Sequence, residues 1–161
     1  MKENLSQLFG TFASEIIFIH ILSAIIWVGG MIAIRLAVHP NLMLITDTRV
    51  RLSRTLAITG HFFNIVIPFI LLLLATAVIM SMGIEFTETK MVVHIKEGLW
   101  SIMALNFAWM YRTRTKAQKF FNNNQLADAK LTLAPIPKLL LPLNIFLGIV
   151  ALWLGVTLRG F

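Results

Sequence analysis

The chain has 161 residues, 58% of them hydrophobic and 13% charged, with a net charge of +7 and no cysteine. Soluble domains carry about 25% charged residues, so an ordinary soluble fold is excluded. The lack of thiols also excludes disulfides, iron–sulfur clusters, thiolate metal sites and haem attached through a CxxCH motif. A membrane span needs about 20 mainly apolar residues. With a mean hydropathy of +0.82, the chain offers four such stretches, at about 15–38, 56–83, 89–111 and 135–158. The expected fold is an all-α integral membrane protein, a four-transmembrane-helix bundle running up-down-up-down, with residues 1–161 as a single membrane domain.

Met1–Ser14 is a short polar-to-mixed segment ahead of the first span. The first span carries His20 and Arg35 and lacks a small-residue cleavage site, so it is expected to stay as a helix rather than act as a secretory signal. It contains Trp27-Val28-Gly29-Gly30, whose glycines allow a close helix approach and permit a homodimer. Pro40 and Asn41 are expected to end it, and 41–55 to form a basic connection, either loop or helix. The second span opens with Gly60-His61 and holds Asn64 and Pro68. A short loop over 83–90, with Glu85 and Glu88, makes spans two and three antiparallel neighbours. The third span is the most polar, with His94, Lys96, Glu97, Ser101 and Asn106. Residues 112–132 form a basic segment with an Asn122-Asn123-Asn124 turn and a helix. The fourth span begins at Pro135 and Pro137 and has Pro142, Asn144, Gly148 and Gly155 inside.

The positive charge follows topology rather than a nucleic-acid surface. Arg35, Arg49, Arg51 and Arg54 cluster after the first span. Arg112, Arg114, Lys116, Lys119, Lys130 and Lys138 lie between the third and fourth. Cytoplasmic loops are enriched in Lys and Arg. Both clusters therefore face the cytoplasm, where they can also contact anionic lipid. Both termini then lie outside, periplasmic if the membrane is a bacterial inner membrane.

All four histidines lie in or beside the spans, and ionisable groups at membrane depth usually mark function. With Trp27 and Trp100 as span centres, His20 and His94 lie roughly 10 Å and about 9 Å outward, so they are level. First and third helices sit on a diagonal of an up-down bundle. A diagonal pair leaves room for a flat macrocycle between two imidazoles, which suits haem b better than a bare ion. His61, about 11 Å inward, and His39, about 18 Å inward, offer a second, weaker haem or metal site. Trp27, seven residues from His20, shares its face. Glu97 shares the face of His94 and can orient its imidazole or relay protons. Lys96 points well away from His94 and can snorkel, pair with a carboxylate, or enter the interior as a ligand or proton donor. Met80, Met82 and Met91, with His94 and His20, suit Cu(I) as an alternative. The structural alternative is that these histidines only bridge helices by hydrogen bonds, the tryptophans anchor at the interface and the methionines fill space.

The run His20-Ile-Leu-Ser-Ala-Ile-Ile-Trp27-Val-Gly29-Gly30, then Arg35 and His39, and the third-span opening Val93-His94-Ile95-Lys96 resemble a four-helix membrane superfamily. It contains CopD-like copper-resistance proteins and HemJ-type protoporphyrinogen oxidases. The resemblance covers spans one to three. It implies haem b and a redox role, with His20 matching the first-helix ligand, Lys96 the functional third-helix lysine and His94 its neighbour. Arg35 and His39 match the distal pair, set one and two residues closer to Trp27 than the HemJ pattern. The fourth span lacks that family's Phe-Arg-Trp-Phe-Asn-Glu-Ile-Pro type of motif and reads Pro137-Lys-Leu-Leu-Leu-Pro142-Leu-Asn144 instead. The reading that follows is an inner-membrane haem b protein that oxidises protoporphyrinogen or passes electrons to quinone. Lys96, Glu97 and Arg35 would serve the chemistry, and Arg51 and Arg54 could meet porphyrin carboxylates or haem propionates. A CopD-like copper transport or binding protein is the alternative, and a non-catalytic membrane subunit the second.

Overall fold

The computed structural model describes residues 2–83 and 90–157. Among the described residues the protein is 94% helical with no strand. The helices are α1 (Lys2–Ala24), α2 (Gly30–Ala33), α3 (His39–Met43), α4 (Thr48–Gly83), α5 (Lys90–Asn122), α6 (Leu126–Leu133) and α7 (Leu141–Thr157). The expected loop residues Glu85 and Glu88 lie outside the described residues, as do the side chains of Met82 and Met91.

Three of these runs are long and apolar enough to cross a membrane: Asn4–Met43, Thr48–Ser81 and Leu126–Thr157. The third expected span does not join them on apolarity. Its helix α5 is 33 residues long, but His94, Lys96, Glu97, Ser101 and Asn106 dilute its apolar residues.

The first run does not stop at Pro40 as the sequence suggested. Wider π-helical turns at Ile25–Gly29 and Ile34–Val38 link α1, α2 and α3 into one run that continues to Met43. Proline lacks an N–H, and its ring crowds the carbonyl four residues back. For Pro40 that carbonyl belongs to Leu36, at the centre of the second π turn. The same register recurs at Pro142, whose crowded carbonyl on Lys138 lies at the centre of a π turn over Ile136–Leu140. In both places the helix widens and continues. The first π turn has no proline behind it and is centred on Trp27. Such turns often occur at functional sites.

The connections have local causes. Asp47 caps α4, its carboxylate accepting the Val50 N–H at 2.9 Å. An N-cap of this kind is worth about 1 kcal/mol. Asp47→Ala should therefore lower the unfolding free energy in detergent by about that amount, while the noncapping variant Asp128→Ala serves as the control. At the far end of α5, Asn124 adopts φ 60°. The Gln125 N–H reaches the Phe120 carbonyl and the Asn124 N–H reaches the Phe121 carbonyl, each at 3.0 Å. This Schellman closure is the turn that three consecutive asparagines announced. Arg49 then ties α4 to it by donating to Asn124 Oδ1 at 3.2 Å.

Neighbouring helices are antiparallel. Gly30 meets the Phe62 ring while His20 meets Thr76, which sets α1 and α2 against α4. On α5, Phe107 stacks edge-on to Phe63 at 5.1 Å. Arg114 donates from Nε and Nη2 to the Leu56 carbonyl at 3.2 and 2.9 Å, its guanidinium lying on Gly60. Between α5 and α7, Asn106 donates to the Leu140 carbonyl and to Asn144 Oδ1, both at 2.8 Å. The fully buried Asn144 amide donates in turn to the Met103 carbonyl at 3.3 Å. Trp27 packs edge-on against Phe107 with ring centres 6.2 Å apart, so the first run and α5 touch at mid-height.

Packing is uneven along the bundle. The core of Trp27, Met31, Leu56, Phe63, Val66, Phe107 and Met110 continues toward the Arg114 end through Ala117, Ala129, Leu133 and Ile136. At the His20 end, full burial is confined to α1 against α4: Ile16, Ser23, Ala24, Ile70, Leu73 and Thr76. Among the described residues, none of α5 before Met103 and none of α7 after Gly148 is fully buried. The α5–α7 pair closes less tightly there, and that is the end where His20, His94, Lys96 and Glu97 lie.

Candidate functional site

His20 projects from α1 toward α4. Its Nδ1 lies 2.9 Å from Thr76 Oγ1, and Thr76 is buried. The Thr76 hydroxyl is 2.7 Å from the Leu72 carbonyl, one turn back on its own helix. Ser23 and Trp27 follow His20 at helical spacing, and both are 1% exposed.

Lys96 projects from α5 toward α7. Its Nζ lies 3.2 Å from where a Cβ on Gly155 would stand. A glycine at 155 leaves room for that amine. A second glycine, Gly148, receives the side chains of Val28 and Met103 within 3.2 Å of the same notional Cβ position. This contact fixes the relative heights. Gly155 lies about 10 Å beyond Gly148 along α7, and His20 about 12 Å beyond Val28 along α1. The imidazole and the amine therefore stand at nearly the same depth, on two different helix pairs.

His20 and His94, expected to face each other, stand in different surroundings. The two imidazoles have different partners and different exposures. The His94 side chain is 75% exposed, and its Nδ1 lies 3.1 Å from Glu97 Oε2. Glu97 thus sits where the three-residue spacing put it, beside His94. Both lie on the outer surface of α5, and an ion pair so exposed adds little stability. The opposite direction of Lys96 follows from the two-residue offset.

His61 is exposed, and its Nδ1 is 2.8 Å from the Ala57 carbonyl of its own helix. His39 and Arg35 are half-buried one turn apart in the first run. Arg54 borders a shallow groove with Ala37, Val38, Asn41, Leu42 and Ile58. Arg51 Nη1 donates to the Ile45 carbonyl at 3.2 Å. Of the three methionines proposed for copper, only Met80 has a described side chain, and it is half-buried. Among the described residues no three His, Asp or Glu side chains gather at metal-binding distance.

The donor set can be tested against haem b, the group that the sequence motifs imply. A macrocycle takes axial ligands from two opposite sides and needs no cluster of three. His20 and Lys96 each offer a nitrogen donor, and the two stand at nearly one depth on separate helix pairs. Among the described residues, three buried polar atoms also lack a hydrogen-bond partner: Ser23 Oγ, Trp27 Nε1 and Trp100 Nε1. Unsatisfied buried donors cost about 1–3 kcal/mol each and call for an explanation. All three carry a proton to donate, so they suit an acceptor-bearing guest such as a carbonyl or a carboxylate. The residues present fit the group.

Sequence reasoning missed Thr76, Ser23 and Gly155 as parts of this site. Thr76 had a signal, as the only hydroxyl in the run Leu71-Leu72-Leu73-Leu74-Ala75-Thr76-Ala77-Val78. Its register opposite His20 becomes visible only once α1 and α4 are paired. No protein-family model, no curated relative and no solved structure matches this chain. Function therefore rests on the side chains themselves.

Proposed function

We propose that the protein is a haem b redox protein of a bacterial inner membrane, related to the CopD-like and HemJ-type four-helix proteins that its His20–Trp27 and His94–Lys96 motifs resemble. In this reading α5 makes the fourth crossing. It lies antiparallel beside α4 and α7, and its polar residues need shelter that lipid does not give. The basic stretches face the cytoplasm and both termini the periplasm.

One observation carries the proposal: the level placement of His20, held at Nδ1 by Thr76, and Lys96, whose amine lies against Gly155. His20 would hold the iron through Nε2 and Lys96 through Nζ. One-electron redox chemistry is what a bound haem b supplies, at a potential set by its axial ligands and its burial. Ser23, Trp27 and Trp100 would donate to the carboxylates of the macrocycle or to the carbonyls of a hydrophobic partner, such as a quinone or protoporphyrinogen. His94 and Glu97, exposed together beside the site, would exchange protons with the outer solution. Arg35 and His39, further inward, remain candidates for a second contact with substrate.

The test is the visible spectrum of purified, detergent-solubilised protein. A Soret band that shifts and sharpens with dithionite is expected. Colourless protein that takes up Cu(I) would favour the copper reading, and colourless protein that binds neither would favour a structural subunit.

A further inference from the structure

We infer that Thr76 is a positioning residue that fixes the tautomer of His20, so that the imidazole presents Nε2 as its lone-pair nitrogen. The argument starts from the hydroxyl. Thr76 Oγ1 lies 2.7 Å from the Leu72 carbonyl oxygen and 3.1 Å from that of Leu73. A carbonyl oxygen only accepts, so the single hydroxyl proton is committed to the helix backbone. The oxygen then has only lone pairs left for His20. The 2.9 Å contact is therefore the imidazole Nδ1–H donating to Thr76. In a neutral imidazole with the proton on Nδ1, the lone pair sits on Nε2.

The surroundings keep this arrangement in place. Thr76 is 5% exposed, so water does not compete for its oxygen. It belongs to the buried set at the His20 end, with Leu73 on its own helix and Ser23 and Ala24 on α1. Metal-bound histidines generally donate their other ring N–H to such an acceptor, which orients the ring and raises its basicity. The role toward haem rests on the function proposed above, whereas the tautomer does not.

The experiment separates the two. Haem-free protein labelled with nitrogen-15 at histidine is compared as wild type, Thr76→Val and Thr76→Ser, with His20→Ala identifying the signal. The wild type should show His20 protonated at Nδ1. The valine variant keeps the shape of the side chain and should move the proton toward Nε2, and serine should restore it. Each protein is then titrated with haem. Thr76→Val should bind about 10- to 100-fold more weakly, with recovery in Thr76→Ser. A wild-type His20 protonated at Nε2, or an identical nitrogen spectrum in Thr76→Val, overturns the assignment. Tautomers that behave as stated in a protein that takes up no haem leave the Thr76 assignment standing and bring down the haem reading alone.

Discussion

His20→Ala should yield a protein that no longer retains haem, and Lys96→Met one that retains it with a changed, high-spin spectrum. The asymmetry follows from how each ligand is held. His20 has a rigid two-bond side chain, a buried acceptor on Nδ1 and an unbroken α1–α4 contact around it. Removing it deletes the anchored side of the site. Lys96 reaches its place on Gly155 through a flexible four-carbon stem. Methionine retains that length and apolar bulk but replaces the amine with a weak thioether, so under the proposed haem role the packing should survive while the ligand field changes. His94→Ala is the discriminating third variant. Its imidazole is 75% exposed and turned to Glu97, so a low-spin spectrum should persist. If His94→Ala instead abolishes the low-spin form and Lys96→Met leaves it intact, the lysine assignment is wrong. Electronic absorption and paramagnetic resonance of the three variants decide the matter.

Gly148→Leu should be the most damaging single change away from the ionisable residues. A Cβ at 148 would stand 2.7 and 3.1 Å from the two methyls of Val28 and 3.2 Å from Met103 Cε. Met103 can swing aside. Val28 cannot, because its branch point lies next to the backbone and its side chain is itself buried. The remaining leucine carbons have nowhere to go, and overpacking of this kind costs typically about 1–3 kcal/mol. The contact also sets the height of α7 against α1, so the substitution should move Gly155 and Lys96 relative to His20. The expected result is a fall in thermal stability in detergent together with weaker haem binding. Gly155→Ala is the informative comparison, since its Cβ would meet only the movable Lys96 amine at 3.2 Å. It should affect haem binding with little loss of stability. A Gly148→Leu protein with unchanged melting would mean that this contact does not hold the bundle together.

Much of the helical layout is legible in the composition, because long apolar runs and triple asparagine turns act through local chemistry. The runs over Asn4–Met43 and Thr48–Ser81 and the left-handed Asn124 are cases of this kind. Others depend on neighbours. Pro40 reads as a stop until a π turn absorbs its missing N–H and lets the helix continue. The α5 segment, expected as the third span, falls short of the other three runs in apolarity, because the cost of placing it in a membrane depends on what shelters His94, Lys96 and Glu97. The site divides in the same way. The depth of His20 is fixed by counting residues along a helix. Which of His94 and Lys96 turns inward is not, because two residues separated by one are on nearly opposite faces, and only the position of α7 distinguishes them. Gly155 and Thr76 matter solely through the helices opposite them, so no pattern along the chain announces them.

The most direct measurement is an equilibrium titration of haem into the purified apoprotein, with the bound pigment quantified per chain. One haem b per polypeptide, lost on replacing the imidazole of residue 20, is the predicted result. Pigment that never saturates at an integral ratio, or that binds equally well once that imidazole is gone, would contradict the assignment of this membrane interior as a haem site.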